Sequence, residues 1–300
     1  MKDIKFRLKL ALRKNISAYS FLAPAIIILL FFLIVPTIQA FIYSFTSWDG
    51  FSAPKYIGFN NYIELVKDSK FWLALKNNFI IAALEVSITA ILGFFLAVAI
   101  ERKVKGWAFF KVAWFMPVML SSTIVSMLWV IFLDPIVGPV NIMLKAIGLE
   151  KFAKLWLTDP KTVLYVVVFV SIWQFTGMTM LLLLTSMEGI APEIHDAATV
   201  DGVNLLGRVK FIIFPLIKGS FMVIILLNII YSFKTFDIVW VLTRGGPGFS
   251  TNVLAIYMYK MTFAFERYGY GATVAVGLFV FVLIVSLIYM RFVRVQPIEQ

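Results

Sequence analysis

Apolar residues in this chain occur in long runs, without the narrow stripe of a surface helix or the strict alternation of a half-buried strand. A helix needs about 20 mostly apolar residues to cross a hydrocarbon core about 30 Å thick. Six runs reach that length, at about 21–44, 78–100, 109–133, 163–187, 220–242 and 269–292. Backbone polar groups inside a bilayer must be satisfied within the spanning element, so runs of this kind predict helices. The expected fold class is an all-α membrane protein with six transmembrane helices, and residues 1–300 read as a single domain. Pro24, Pro36 and Pro117 fall within or near the ends of these runs and are expected to kink the helices without breaking them.

The polar stretches between runs carry their own signals. In the first connection Gly50, Pro54 and Gly58 mark turns, and Tyr62 to Val66 suits a short helix. The second places Ile142, Leu144, Ile147 and Leu149 between lysines, a pattern for the membrane interface. After the fifth run, Gly245, Gly246, Pro247 and Gly248 cannot continue a helix and are expected to end it sharply. The stretch 188–218 is far more polar than its flanks. Pro192 and Glu193 fit a helix start, Gly202 fits its end, and Asn204 suits the cap of a second short helix that Pro215 is expected to terminate. Ile194, Ala197 and Ala198 share one face of the first of these helices, and the lone His195 reads as a surface residue.

Composition changes the picture little, whereas the placement of charge changes it more. The chain is 61% hydrophobic and 14% charged, against roughly 25% charged residues in soluble domains. The net charge of +11 invites a nucleic-acid reading, but a basic excess in a membrane protein is first a matter of topology. Lys2, Lys5, Arg7, Lys9, Arg13 and Lys14 precede the first run, and Arg102, Lys103, Lys105 and Lys111 crowd the short second connection. Both segments are expected in the cytoplasm, and with six spans so are both termini, Arg291, Arg294 and the loop holding Arg208, Lys210 and Lys218. The first run is too long for a cleavable signal and reads as a retained anchor. Cysteine is absent, which removes thiol catalysis and thiolate metal sites.

One spaced motif lies in the polar loop. Asp196-Ala197-Ala198 is followed after three residues by Gly202, and nine residues later by Ile212 and then Phe214-Pro215. This resembles the cytoplasmic signature of the permease subunits of binding-protein-dependent ABC importers, Glu-Ala-Ala, three residues, Gly, nine residues, Ile-x-Leu-Pro, and especially of sugar permeases similar to MalF. Asp196 replaces Glu and Phe214 replaces Leu, while Gly202 and Pro215 are kept. Asp201-Gly202, the LTRGGP segment and YGYGAT at the start of the sixth run extend the likeness to nearly the whole chain.

The resemblance implies a type I importer permease fold with a coupling loop at 188–218. Glu193, Asp196, Ala197, Ala198, Asp201, Gly202, Ile212 and Pro215 are its expected ATPase-coupling residues. It implies a second homologous permease, two ATP-binding subunits that carry ATP and Mg, and an extracellular solute-binding protein. It places the chain as a multi-pass protein of a bacterial or archaeal cytoplasmic membrane.

Polar residues within spans tend to face an interior or an aqueous cavity. Asn228, Tyr231, Ser232 and Thr235 form one stripe of the fifth run, and Ser171, Gln174, Phe175 and Met178 form a weaker one in the fourth. Their mixture of rings, hydroxyls and amides suits an uncharged sugar. The same residues also suit plain interhelical packing. Lys234 and Asp237 fall opposite the fifth-run stripe and are expected to pair with each other, while Glu85 has no assigned partner. These three groups are the basis of a rival reading, an ion-coupled secondary transporter. Enzyme readings lack support: there is one histidine, no G-x-S-x-G or H-E-x-x-H, and no G-x-x-x-x-G-K-[ST] loop, so ATP hydrolysis is expected on another polypeptide. No cofactor and no metal is expected on this chain.

Overall fold

The computed structural model describes residues 16–103 and 105–292. The expected cytoplasmic placement of both termini, with Lys2, Lys5, Arg7, Lys9, Arg13, Lys14 and Arg294, lies outside the described residues. Among the described residues, five helices are long and apolar enough to cross a membrane: Ser20–Tyr43, Ser69–Glu101, Val163–Glu188, Leu205–Phe233 and Tyr268–Phe292. The third run instead forms two helices, Trp107–Met119 and Ser122–Phe132, bent by 100°. Six spans therefore stand if that bent pair counts as one. The chain divides into two compact units, one comprising residues up to 66 with 261–276, the other 67–260 with the residues from 277 onward.

In the first unit the opening span runs without burying its apolar side chains. Leu30–Ile34 is a π-turn just before Pro36. A proline has no N–H for the carbonyl one turn back and crowds it, so widening that turn lets the helix pass without a break. Beyond the span, Thr46–Ser47 pairs antiparallel with Lys55–Tyr56, and Asn60–Lys67 forms the expected short helix with bounds wider than 62–66. Buried Asn61 fastens this helix, donating to the carbonyls of Ser44 and Thr46 at 2.9 Å each. Arg267 donates to Glu64 at 2.6 Å and lies over the ring of Tyr270.

The second unit is built around Ser69–Glu101 and Val163–Glu188, each of which has buried apolar side chains at positions along its whole length. Their approach depends on small residues. A Cβ on Gly93 would meet Thr179 Cγ2 at 2.9 Å, and one on Gly177 would meet the Trp114 carbonyl oxygen at 2.0 Å. Without a hydrophobic force between helices in lipid, close backbone contact of this kind is a main source of packing energy.

Leu205–Phe233 passes Pro215 by the same device as the first span, a π-turn at Val209–Ile213. Pro215 therefore does not terminate a second short helix, as its sequence position suggested, and the span begins directly after its cap, Asn204. Its far end also differs from expectation. The helix stops at Phe233, well before the glycine-rich segment, and a separate helix, Asp237–Thr243, follows.

Candidate functional site

Two interrupted helices shape the centre of the second unit. In the third run, Pro117 precedes an extended residue at Leu120, and Ser121 Oγ then accepts from Ile124 N at 3.3 Å, capping a new helix. The proline thus accompanies a break, where only a kink was expected. A break at membrane depth strands a carbonyl, and Gln174 Nε2 satisfies it by donating to Leu120 O at 3.2 Å. At the end of span five, Asn78 does the same service. Its Nδ2 donates to Phe233 O at 3.3 Å while its Oδ1 accepts from Leu254 N at 2.8 Å. Neighbouring Asn77 donates to Asn252 O at 2.9 Å, so the start of span two anchors the loop after span five.

Between these breaks lies a cavity of about 510 Å³, walled by spans two, three, four and five. Of the residues expected along a solute pathway, Phe175, Met178, Asn228, Tyr231 and Thr235 line it. Ser171, Gln174 and Ser232 do not. Ser171 is fully buried, Gln174 is committed to Leu120 O, and Ser232 Oγ donates to Ile229 O at 2.9 Å. The stripes were drawn for uninterrupted helices. Thr235 stays on the wall although it lies in the gap after Phe233, off the helical phase that placed it there.

That same gap overturns the placing of Lys234 and Asp237. Both line the cavity beside Thr235, on the face they were expected to avoid, and the described ion pairs, His195–Glu101 and Arg267–Glu64, do not include them. Sequence reasoning also missed Thr89, Ser122, Leu182, Leu227 and Phe236 as wall residues. Thr89 had a usable signal, one turn after Glu85 on span two. Ser122 and Phe236 had none, because each reaches the cavity through a break that no residue type announces. Asn228 serves two roles, lining the cavity and donating to Thr179 Oγ1 at 3.1 Å.

The polar loop between spans four and five is built by local rules. Pro192 opens the helix Pro192–Val200. Its end is a Schellman turn: Gly202, at φ +67°, donates to Thr199 O at 3.1 Å, and Val203 N donates to Ala198 O at 3.0 Å. Asn204 Oδ1 then accepts from Gly207 N at 2.8 Å and caps the next helix. Arg208 donates to Thr199 Oγ1 at 2.9 Å, tying the second helix to the first. Of the residues expected to couple to an ATPase, Glu193, Asp196, Ala197, Asp201, Gly202 and Pro215 are exposed, Ile212 is half-buried and Ala198 is buried. Val200 and Leu206 stand 88% and 78% exposed, a missed pair of apolar residues beside the motif. His195 is not a free surface residue: it is half-buried, with Nε2 at 4.0 Å from Glu101 at the end of span two.

The family described as the binding-protein-dependent transport system inner membrane component matches residues 89–295. A probable ABC transporter permease of Pyrococcus horikoshii is 36% identical, over 90% of this chain and 93% of its own. The trehalose/maltose transport permease MalF of Thermococcus litoralis is 27% identical, over 94% and 95%. Among solved structures, a chain of a bacterial alginate ABC transporter, crystallised with its alginate pentasaccharide-bound periplasmic protein, superimposes with a TM-score of 0.85 at 25% identity. That likeness covers 96% of this chain and 97% of the other. The matched segment holds the polar loop, both interrupted helices and all of the cavity wall except Glu85. The chain therefore belongs to the inner-membrane components of binding-protein-dependent transport systems, as a multi-pass ABC importer permease.

Proposed function

We propose that this permease carries a sugar or oligosaccharide, handed over by an extracellular binding protein, through the cavity between spans two and five. The observation that carries the reading is the wall itself. Phe175, Tyr231 and Phe236 offer ring faces, and Asn228, Thr89 and Thr235 offer neutral hydrogen-bonding groups, the combination that a pyranose with apolar faces and a polar rim requires. The trehalose/maltose relative supports the cargo class.

In this reading residues 1–300 form one permease domain that pairs with a second, homologous permease, and two separate subunits bind ATP and Mg. Both termini and the loop 188–218 face the cytoplasm, in keeping with the basic second connection. Glu193, Asp196, Ala197, Ala198, Asp201, Gly202, Ile212 and Pro215 form or shape the ATPase dock, with exposed Val200 and Leu206 completing its apolar contact. Closure of the ATPase pair then shifts the helix Pro192–Val200, and the short links through Arg208 and Glu101 pass that motion to spans five and two. Uptake into proteoliposomes containing the two permeases and their ATPase tests this. Transport is expected to persist with proton and sodium gradients collapsed and to stop without ATP. Loss of transport on collapsing the gradients, with ATP present, would overturn the reading.

A further inference from the structure

Three acidic or basic side chains, Glu85, Lys234 and Asp237, reach the cavity, and they are not equivalent. Lys234, in the gap after span five, and Asp237, which opens the next helix, are both exposed. Glu85 lies midway along Ser69–Glu101, is 6% exposed, and its Oε2 is buried without a hydrogen-bond partner. An unsatisfied buried oxygen is destabilising and uncommon, and it persists where something outside the folded chain supplies the missing bond.

The cavity wall does not supply it. Thr89, one turn further on, donates its hydroxyl to the Glu85 backbone carbonyl at 2.7 Å, and the Asn228 amide is engaged by Thr179. The nearby wall is apolar at Phe175, Met178, Leu182 and Leu227. A neutral hydroxyl enters such surroundings at far lower desolvation cost than an ammonium group. A carboxylate or phosphate would likewise carry a full charge against this apolar wall, at a far higher desolvation cost than a hydroxyl.

We propose that Glu85 is a specificity-determining residue of this permease, accepting a hydrogen bond from a hydroxyl of a neutral saccharide and disfavouring acidic sugars at the same place. The proposal rests on the reading of the cavity as the cargo site. It assigns span two, beyond the two stripes of spans four and five, a direct contact with cargo.

The test uses the reconstituted complex of both permeases, ATPase and binding protein, with radiolabelled maltotriose, cellotriose, xylotriose and trimannuronate as probes. Wild type is expected to import a neutral trisaccharide in preference to trimannuronate. Glu85→Met is expected to raise the KM for that trisaccharide by about tenfold, the scale of one lost hydrogen bond in a dry site. Glu85→Gln, which keeps an acceptor, should stay within about threefold. A monodeoxy analogue lacking the contacted hydroxyl should lose a similar factor in wild type, a readout that does not depend on any variant folding.

Equal import of every monodeoxy analogue and the parent, or preference for trimannuronate, would overturn the proposal. So would an unchanged KM in Glu85→Met. The control Tyr231→Ala separates the two levels of inference. If it raises KM while Glu85→Met does not, the cavity stands as the cargo site and Glu85 falls. If neither variant moves KM, the cargo site lies elsewhere. Import of none of the four probes by a complex that hydrolyses ATP would overturn the saccharide reading and this inference with it.

Discussion

The loop Pro192–Arg208 and the cavity are shaped by rules of different range. The loop is held by bonds between residues close in sequence: Gly202 to Thr199, Val203 to Ala198, Gly207 to Asn204. The cavity is held by bonds that cross the chain, Gln174 to Leu120 and Asn78 to Phe233 and Leu254. Local rules can be read from residue types, because Pro at a helix start, Gly at its end and Asn at a cap each have one dominant use. Cross-chain rules cannot, since Gln or Asn in a span looks the same whether it faces solute or mends a broken neighbour.

The largest expected effect falls on the packing that brings those cross-chain bonds together. Gly177 has the Trp114 carbonyl 2.0 Å from where a Cβ would sit. Backbone cannot yield as a flexible side chain can, so Gly177→Leu should separate spans three and four and cost at least about 3 kcal/mol, the upper end of the usual overpacking range. The expected outcome is loss of a monodisperse, folded species in size-exclusion chromatography of the detergent-solubilised permease. An unchanged profile and melting temperature would mean that the contact with Trp114 is not what holds this part of the cavity wall.

A smaller effect is expected from Gln174→Leu, which keeps the volume but removes the donor. If Gln174 only lined a solute pathway, the change would alter transport and leave stability alone. If it serves the stranded Leu120 carbonyl, the variant should lose about 1–3 kcal/mol, the usual cost of a buried group left unpaired. Thermal unfolding monitored by tryptophan fluorescence checks this, and a melting temperature equal to wild type would show that this bond is not what holds the break at Leu120.

The contrast also explains which parts of the molecule were legible. All six apolar runs correspond to spans, with the third needing its bent pair counted as one, because hydropathy over 20 residues is insensitive to a break of one or two residues. The first helix of the polar loop ends where Gly202 implied. What failed was helical phase beyond a break. Ser232 and Thr235 were placed on one stripe by a period of 3.6, yet Ser232 turns inward and Thr235 has left the helix. Lys234 and Asp237 were placed away from the cavity by the same period and line it. Lys234-Thr235-Phe236 contains nothing that forbids a helix, and the bond found at the gap comes from Asn78, more than 150 positions away in sequence, which donates to the Phe233 carbonyl. Pro215 failed for a related reason, since a π-turn absorbs a proline that a strict α-helix could not.

The smallest stability effect should come from the loop, and there it separates folding from coupling. At Gly202 an added Cβ would meet nothing within 4 Å, so Gly202→Val introduces no clash and acts through the backbone alone. A β-branched residue at φ +67° costs about 1–2 kcal/mol, and an exposed turn can relieve part of that by relaxing locally. Global melting should therefore shift little, whereas the Schellman bonds from Gly202 and Val203 should loosen and the helix Pro192–Val200 lose its fixed end. With the loop as the ATPase dock, ATP hydrolysis in the reconstituted complex should no longer rise when loaded binding protein is added. Gly202→Asn supplies the control, because Asn tolerates the left-handed region and should restore much of the stimulation. Equal stimulation in Gly202→Val, Gly202→Asn and wild type would show that the geometry of this turn is not what the ATPase reads.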